Sequence, residues 1–232
     1  MTNKQNYLLE TDENLLSLFS NSKDKEALDV LFNRHMTSAY YLALKYMRNQ
    51  ADAEDVVQKA FINIMRFASN QNQQGKVRAW IMKTVINTSK NEIQTLVTHR
   101  KQIKKKSAEQ NIVSHDQHSD SEDLRKTLIT AIENLPEHFR LPIWLTHYED
   151  MSVKEVSDCL GKPEKTIRTQ IARGLEKLEQ ALKGQLSNIN AMNIIAFLAE
   201  CKLNDKPPLS LADKINSISN IKISARMIPH TI

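Results

Sequence analysis

Apolar residues recur three or four positions apart through almost the whole chain, and nowhere do they alternate with polar ones at the period of two that a half-buried strand requires. The spacing predicts an all-α protein. A short helix is expected near Glu13 to Phe19, ahead of a long one whose stripe runs Leu28, Leu31, Phe32, His35, Ala39, Leu42, Ala43 and Tyr46. The next carries Ala53, Val56, Val57, Ala60, Phe61 and Ile64, and a fourth carries Val77, Trp80, Ile81, Thr84, Val85 and Thr88. One apolar stripe per helix is what a bundle buries. On such faces His35 reads as a satisfied core histidine, and Trp80 as packing rather than a stacking platform.

A second helical block opens at Leu124 with Leu128, Ala131, Ile132 and Leu135, and breaks at Pro136. Another helix is expected from about Pro142, since proline is tolerated in a first turn, through Ile143 and Trp144 to Tyr148. Ser152 and Glu155 have the spacing of a capping box, opening a short helix with Val153, Val156 and Leu160 inward and Cys159 as a small buried hydrophobe. Gly161 ends it. Pro163 is placed as the first residue of the following helix, which buries Ile167, Ile171, Leu175, Leu178 and Leu182.

The two blocks are joined by a basic run, Arg100, Lys101, Lys104, Lys105 and Lys106, and then an acidic stretch containing Glu109, Asp116, Asp120, Glu122 and Asp123. Such a segment reads as a mobile linker. Beyond Leu182, Ile189, Met192, Ile195, Ala196, Leu198, Ala199 and Leu203 outline another amphipathic helix, stopped by Pro207 and Pro208, with a weaker apolar stretch from Leu209 to Ile223.

Composition narrows the functions this architecture could serve. The 232 residues include only four glycines, Gly75, Gly161, Gly174 and Gly184, and their spacing forms neither a dinucleotide fingerprint, a phosphate-cradling loop nor a nucleophile elbow. Cys159 and Cys201 are far apart, and His115 and His118 lie in a polar stretch without further ligands, so neither a disulfide framework nor a zinc site is expected. No apolar run is long enough to span a bilayer, and Met1 to Asn14 lacks the basic-then-apolar order of an export signal. A reducing, cytoplasmic setting fits. The net charge of +5 favours a polyanionic partner, although a charge surplus carries little weight until it is located. Scattered histidines and carboxylates form no catalytic constellation, so no enzyme, metal or cofactor is implied.

Three segments carry candidate chemistry. Two helices joined by a short turn containing Gly161, the second of them basic, form a helix-turn-helix pattern. With Ile167 and Ile171 buried, Lys165, Arg168, Thr169, Ala172 and Arg173 fall on the opposite face, as groups able to read base edges and hold phosphates. A solvated face of an ordinary helical hairpin is the alternative. In Ala53-Glu54-Asp55-Val56-Val57-Gln58-Lys59-Ala60-Phe61, the outward Asp55, Gln58 and Lys59 with Phe61 at the rim suit docking to a partner helix, or else mere solvation. The polar run from Phe67 to Lys76 offers amides that match base edges, or a plain surface loop.

Taken together, these segments resemble the sigma-70 family of bacterial RNA polymerase sigma factors, in its small two-domain extracytoplasmic-function (ECF) group. Ala53 to Phe61, A-E-D-V-V-Q-K-A-F, is similar to the group's A-E-D-L-V-Q-E-T-F, and Val77-Arg78-Ala79-Trp80-Ile81 with Asn87 is similar to its F-R-A-W-L…N. Leu135-Pro136, Arg140, Pro142 and Glu149 to Val156 resemble its second-domain pattern. The resemblance runs from about Asn14 to Leu182. It implies a sigma region 2 helical bundle over residues 13–102, a flexible linker over 103–123, a sigma region 4 helix-turn-helix over 124–184, and a C-terminal helical extension over 185–232 outside the minimal architecture.

The resemblance further implies a factor that binds core RNA polymerase and directs promoter-specific initiation. Asp55, Gln58 and Phe61 would meet the polymerase clamp coiled coil, with the flap as a second polymerase contact. Ser69, Asn70, Gln71 and Asn72 would capture a flipped −10 base, and Arg78, Lys83, Asn87, Arg100 and Lys101 would follow the same DNA. Lys165, Thr166, Arg168, Thr169, Gln170 and Arg173 would meet the −35 element, and the family admits an anti-sigma factor as a further partner. Gln170 stands where many members carry arginine, and Glu164-Lys165 replaces a more usual small residue and glycine. The extension is expected to pack on one of the two domains, either modulating access to polymerase or DNA or simply adding a stabilising helix. The rival reading is a conventional helix-turn-helix regulator acting without polymerase, although no heptad dimerisation segment or ligand domain is evident.

Overall fold

The computed structural model describes residues 6–68, 76–103, 120–183, 189–204 and 206–218, and every regular element among them is helical. The chain divides into two compact units, Met1–Ile93 with Lys206–Ile232, and Gln94–Asp205. The expected linker lies largely outside the described residues.

In the first unit, α1 (Asp12–Ser22), α2 (Lys25–Met47) and α3 (Gln50–Phe67) each begin at a polar cap: the side chains of Thr11, Asp24 and Asn49 accept from the amides of Asn14, Ala27 and Asp52. Lys23 and Arg48 turn left-handed at the ends of α1 and α2, with φ of 57° and 56°, and return their amides to the carbonyls of Phe19 and Leu44. The predicted stripes are the core: Leu28, Leu31, Phe32, Ala39, Leu42 and Ala43 are buried, as are Val56, Val57, Ala60 and Ile64. α4 (Val77–Ile103), which belongs to this unit as far as Ile93, adds Val77, Ile81, Met82 and Val85, and Lys59 of α3 reaches Glu92 of α4 at 2.7 Å. His35 is a core histidine as expected, with Nε2 2.6 Å from Asp12 Oδ2, while Arg34 holds the other oxygen of the same carboxylate at 2.6 Å. Burial of Asp12 opposes its ionisation, but His35 and Arg34 outweigh that and leave its pKa below the ordinary carboxylate value.

In the second unit, α5 (Asp120–Asn134) begins earlier than the stripe indicated, already within the acidic stretch. Pro136 stops it, and the guanidinium of Arg140 closes the break by donating to the Glu133 carbonyl at 2.6 Å. Pro142 does not open a helix; it lies inside α6 (Glu137–Ile143). Having no N–H, it cannot complete the α-helical ladder, and the chain widens directly afterwards into a π-turn over Trp144–Tyr148. Trp144 and Tyr148 stack across this turn with ring centroids 3.7 Å apart. α7 (Val153–Leu160) carries both halves of the capping box, and buries Val156 and Cys159, leaving Val153 and Leu160 half-buried. α8 (Glu164–Leu182) starts one residue later than expected, since Pro163 remains extended at the N-cap.

The tail departs most from expectation. It does not pack as one piece on one domain: α9 (Ala191–Asn204) lies against the π-turn and α8 in the second unit, whereas α10 (Leu209–Ile218) lies against α2 and α3 in the first. The buried face of α9 is Ile194, Leu198 and Cys201, and Met192 is 72% exposed. Near-uniform hydrophobicity hid the true face, since several rows of this helix offer an apolar stripe. Lys202 on α9 reaches Asp150 after the π-turn at 2.6 Å.

Close helix packing sets one prediction. A Cβ on Gly174 of α8 would lie 2.6 Å from Ile143 Cδ1 and 3.1 Å from Phe139 Cβ. Gly174→Val should therefore destabilise the second unit by about 2 kcal/mol, read from denaturant unfolding. A second concerns His147, which is half-buried, with Nε2 lacking a hydrogen-bond partner. Burial pushes its pKa below the ordinary 6.5, with Asp150 pulling weakly the other way. As pH falls below that value the unfolded chain takes up the proton first, so stability is lost between 6.5 and the lower folded pKa. His147→Gln should flatten this part of the stability profile.

Candidate nucleic-acid and polymerase interfaces

The helix-turn-helix is built by α7, its turn and α8. Gly161 adopts φ 64° and ψ 34°, a left-handed conformation natural to glycine. The Ser157 hydroxyl donates to the Lys162 carbonyl at 2.6 Å and fixes the turn. Ile167, Gly174, Leu175 and Leu178 seat α8, with Ile171 half-buried. That seat turns Lys165, Thr166, Arg168, Thr169, Ala172 and Arg173 outward, and all are exposed. Arg168 rests on Glu164 at 3.2 Å, an exposed pair one turn apart that costs little to exchange for a phosphate or a base. Lys165 and Arg173 have no ion-pair partner among the described residues. Gln170 differs from its expected neighbours: it is half-buried, and its amide oxygen is enclosed without a hydrogen-bond partner. It lies three residues beyond Ile167, at the flank of the packed face.

In α4, Lys83 and Asn87 are exposed one turn apart on one row. Arg78 is half-buried and stands about 140° round the helix from Lys83. Arg100 and Lys101 belong to the last turns of the same helix. Ser69, Asn70, Gln71 and Asn72 lie outside the described residues.

The α3 face requires one correction. Phe61 is not at a rim: it is fully buried and stacks on Phe32, with centroids 4.3 Å apart. Standing four residues after Val57 and three before Ile64, it lies within the buried stripe, and its bulk fills the centre between α2 and α3. Asp55 remains open, with 59% of its side chain exposed, and Gln58 is half-buried. Sequence reasoning missed Glu54, which lies next to this face although charged and only 8% exposed. Its two oxygens receive the Ser210 hydroxyl at 2.9 Å and the Lys214 ammonium at 2.8 Å, both from α10. The Lys214 bond, opposed by burial and helped by Ser210, keeps the Glu54 pKa below its ordinary value. No local spacing could announce a contact between residues so distant in the chain, although Leu211, Ile215 and Ile218 do form a legible helical stripe. Among the described residues no helix is long and apolar enough to cross a membrane.

Two regions of the chain match family models. Residues 31–97 match sigma-70 region 2 and residues 125–178 match sigma-70 region 4. The RNA polymerase sigma-H factor of Pseudomonas aeruginosa is 24% identical over 170 residues, covering 69% of this chain and 88% of that protein. The ECF RNA polymerase sigma-E factor of Haemophilus influenzae is 26% identical over 170 residues, covering 69% and 89%. Among solved structures, CnrH in complex with the cytosolic domain of CnrY aligns with a TM-score of 0.58 at 20% identity, over 76% of this chain and all of that one. The sigma factor RpoE of Bartonella quintana, bound to the anti-sigma factor NepR, aligns with a TM-score of 0.51 at 17% identity, over 67% and 96%.

The reassignment of Phe61 is directly testable. Phe61→Ala should destabilise the first unit by about 3–5 kcal/mol in thermal or denaturant unfolding, whereas Asp55→Ala should change it by no more than about 0.5 kcal/mol.

Proposed function

The chain belongs to the extracytoplasmic-function group of the sigma-70 family and is an RNA polymerase sigma factor; from that premise we propose which of its surfaces do the work. Asp55 and Gln58 on α3 dock core polymerase at its clamp coiled coil, with Phe61 holding α3 in place from beneath. Lys83 and Asn87 on α4, with Arg78, Arg100, Lys101 and the amide-rich segment Ser69 to Asn72, engage the −10 strand. Lys165, Thr166, Arg168, Thr169 and Arg173 on α8 enter the major groove at the −35 element.

The observation that carries this reading is the exposed basic row of α8, held outward by a buried seat and preceded by a turn fixed at Gly161 and Ser157. Arg168 and Arg173 have the fork geometry for guanine or phosphate, and Thr169 offers a short polar contact between them. Gln170, half-buried at the flank of that row, is the remaining −35 candidate. Residues 13–102 and 124–184 serve as the polymerase-binding and duplex-reading domains on either side of the 103–123 linker. Polymerase fixes their spacing and makes two modest DNA contacts act together.

The factor contributes recognition and strand opening rather than covalent chemistry, and works in the cytoplasm with the polymerase. An anti-sigma factor is a third partner in this reading, supported by the complex known for the Bartonella quintana relative. A conventional regulator acting alone is not favoured, because the region 2 match spans residues 31–97 outside the helix-turn-helix.

With holoenzyme reconstituted from core polymerase and the full chain, Arg168→Ala and Arg173→Ala should each weaken promoter binding by about 1–3 kcal/mol and relax preference at the −35 element. Lys165→Ala should weaken all sequences alike and lower the salt dependence. Unchanged promoter affinity and preference in both arginine variants would contradict the reading.

A further inference from the structure

α10 occupies ground that the function needs. Leu211, Ile215 and Ile218 are fully buried against α2 and α3, and Tyr41 donates to the Lys206 carbonyl at 3.0 Å where the chain enters the helix. On the α3 side Ser210 and Lys214 take both oxygens of Glu54. The Lys214 ammonium also stands 3.7 Å from Asp55 Oδ1. α10 belongs to the same compact unit as α3, and lies outside both matched regions of the family.

We propose that α10 is a built-in competitor for the polymerase-docking face, holding Lys214 over Glu54 and Asp55 until polymerase displaces it. This rests on the assignment of Asp55 and Gln58 as docking residues. The chemistry is that of a reversible lid. Its apolar stripe supplies the hold, and its one cation supplies the register, because Lys214 answers the acidic pair that begins the docking motif. Placing its cation on Glu54 and 3.7 Å from Asp55 sets α10 and polymerase in competition for the same acidic face. Apparent affinity for core polymerase is then the intrinsic affinity reduced by the fraction of molecules with α10 lifted.

The test compares full-length wild type, Ile215→Asp and the double variant Ser210→Ala/Lys214→Ala in equilibrium binding to core RNA polymerase. Hydrogen exchange over residues 209–218 reports whether α10 is released. The double variant removes only the polar partners of Glu54, so it keeps the test open should Ile215→Asp fail to fold. Release should tighten polymerase binding by about tenfold for Ile215→Asp and roughly threefold for the double variant. Unchanged or weaker binding by a folded variant whose α10 exchanges freely would overturn the lid. Adding Asp55→Ala/Gln58→Ala to the released variant separates the two claims. If that addition weakens binding, the docking assignment stands whatever the fate of the lid; if it changes nothing, the assignment fails and the lid fails with it.

Discussion

Most of the stability of these helices comes from packing rather than from helix propensity, so each depends on burying one apolar stripe against a neighbour. That constraint decides which side chains are left to act. On α8, seating Ile167, Gly174, Leu175 and Leu178 leaves one continuous outward row, and the row holds Lys165, Arg168, Thr169 and Arg173. On α3, seating Val56, Val57, Ala60, Phe61 and Ile64 leaves Asp55 outward and Gln58 at the edge. Recognition in this molecule is what remains after packing has taken its share of each helix.

The polar residues that packing does enclose are held by specific partners. Asp12 lies between Arg34 and His35, and Glu54 lies between Ser210 and Lys214. Both carboxyls ionise more readily than usual because partner hydrogen bonds outweigh the burial that resists charge. Their surroundings differ in consequence. The Asp12 cluster joins α1 to α2 within the bundle, whereas the Glu54 cluster joins α3 to a helix that comes from the far end of the chain. Removing the cation from a partly buried carboxylate leaves a charge that must find water or another cation. Whatever lifts α10 must therefore rehydrate Glu54 or supply its own donor there.

Much of this was legible in the sequence because helical period and punctuation agree locally. The stripes of α2 and α3, the capping box at Ser152 and Glu155, the turn at Gly161 and the outward basic row of α8 all follow from spacing within a few residues. Where the reading failed, the deciding force was nonlocal. Phe61 sits on the border between stripe and rim, and only its stack with Phe32 settles its place. Pro142 reads locally as a helix start, yet α6 already opens at Glu137 after Pro136, and the π-turn follows the proline. The partition of the tail, with α9 in one unit and α10 in the other, has no local signature at all.

In the function proposed here, the chain directs polymerase to promoters through an α3 docking face and an α8 reading face. Its most direct test is transcription in vitro by sigma-free core polymerase on fragmented genomic DNA, with new 5′ ends mapped with and without the protein. Discrete starts that share −35 and −10 elements upstream should appear only with the protein, and should disappear with a folded Asp55→Ala/Gln58→Ala variant. Absence of such starts, while the protein alone binds discrete duplex sites tightly, would contradict it.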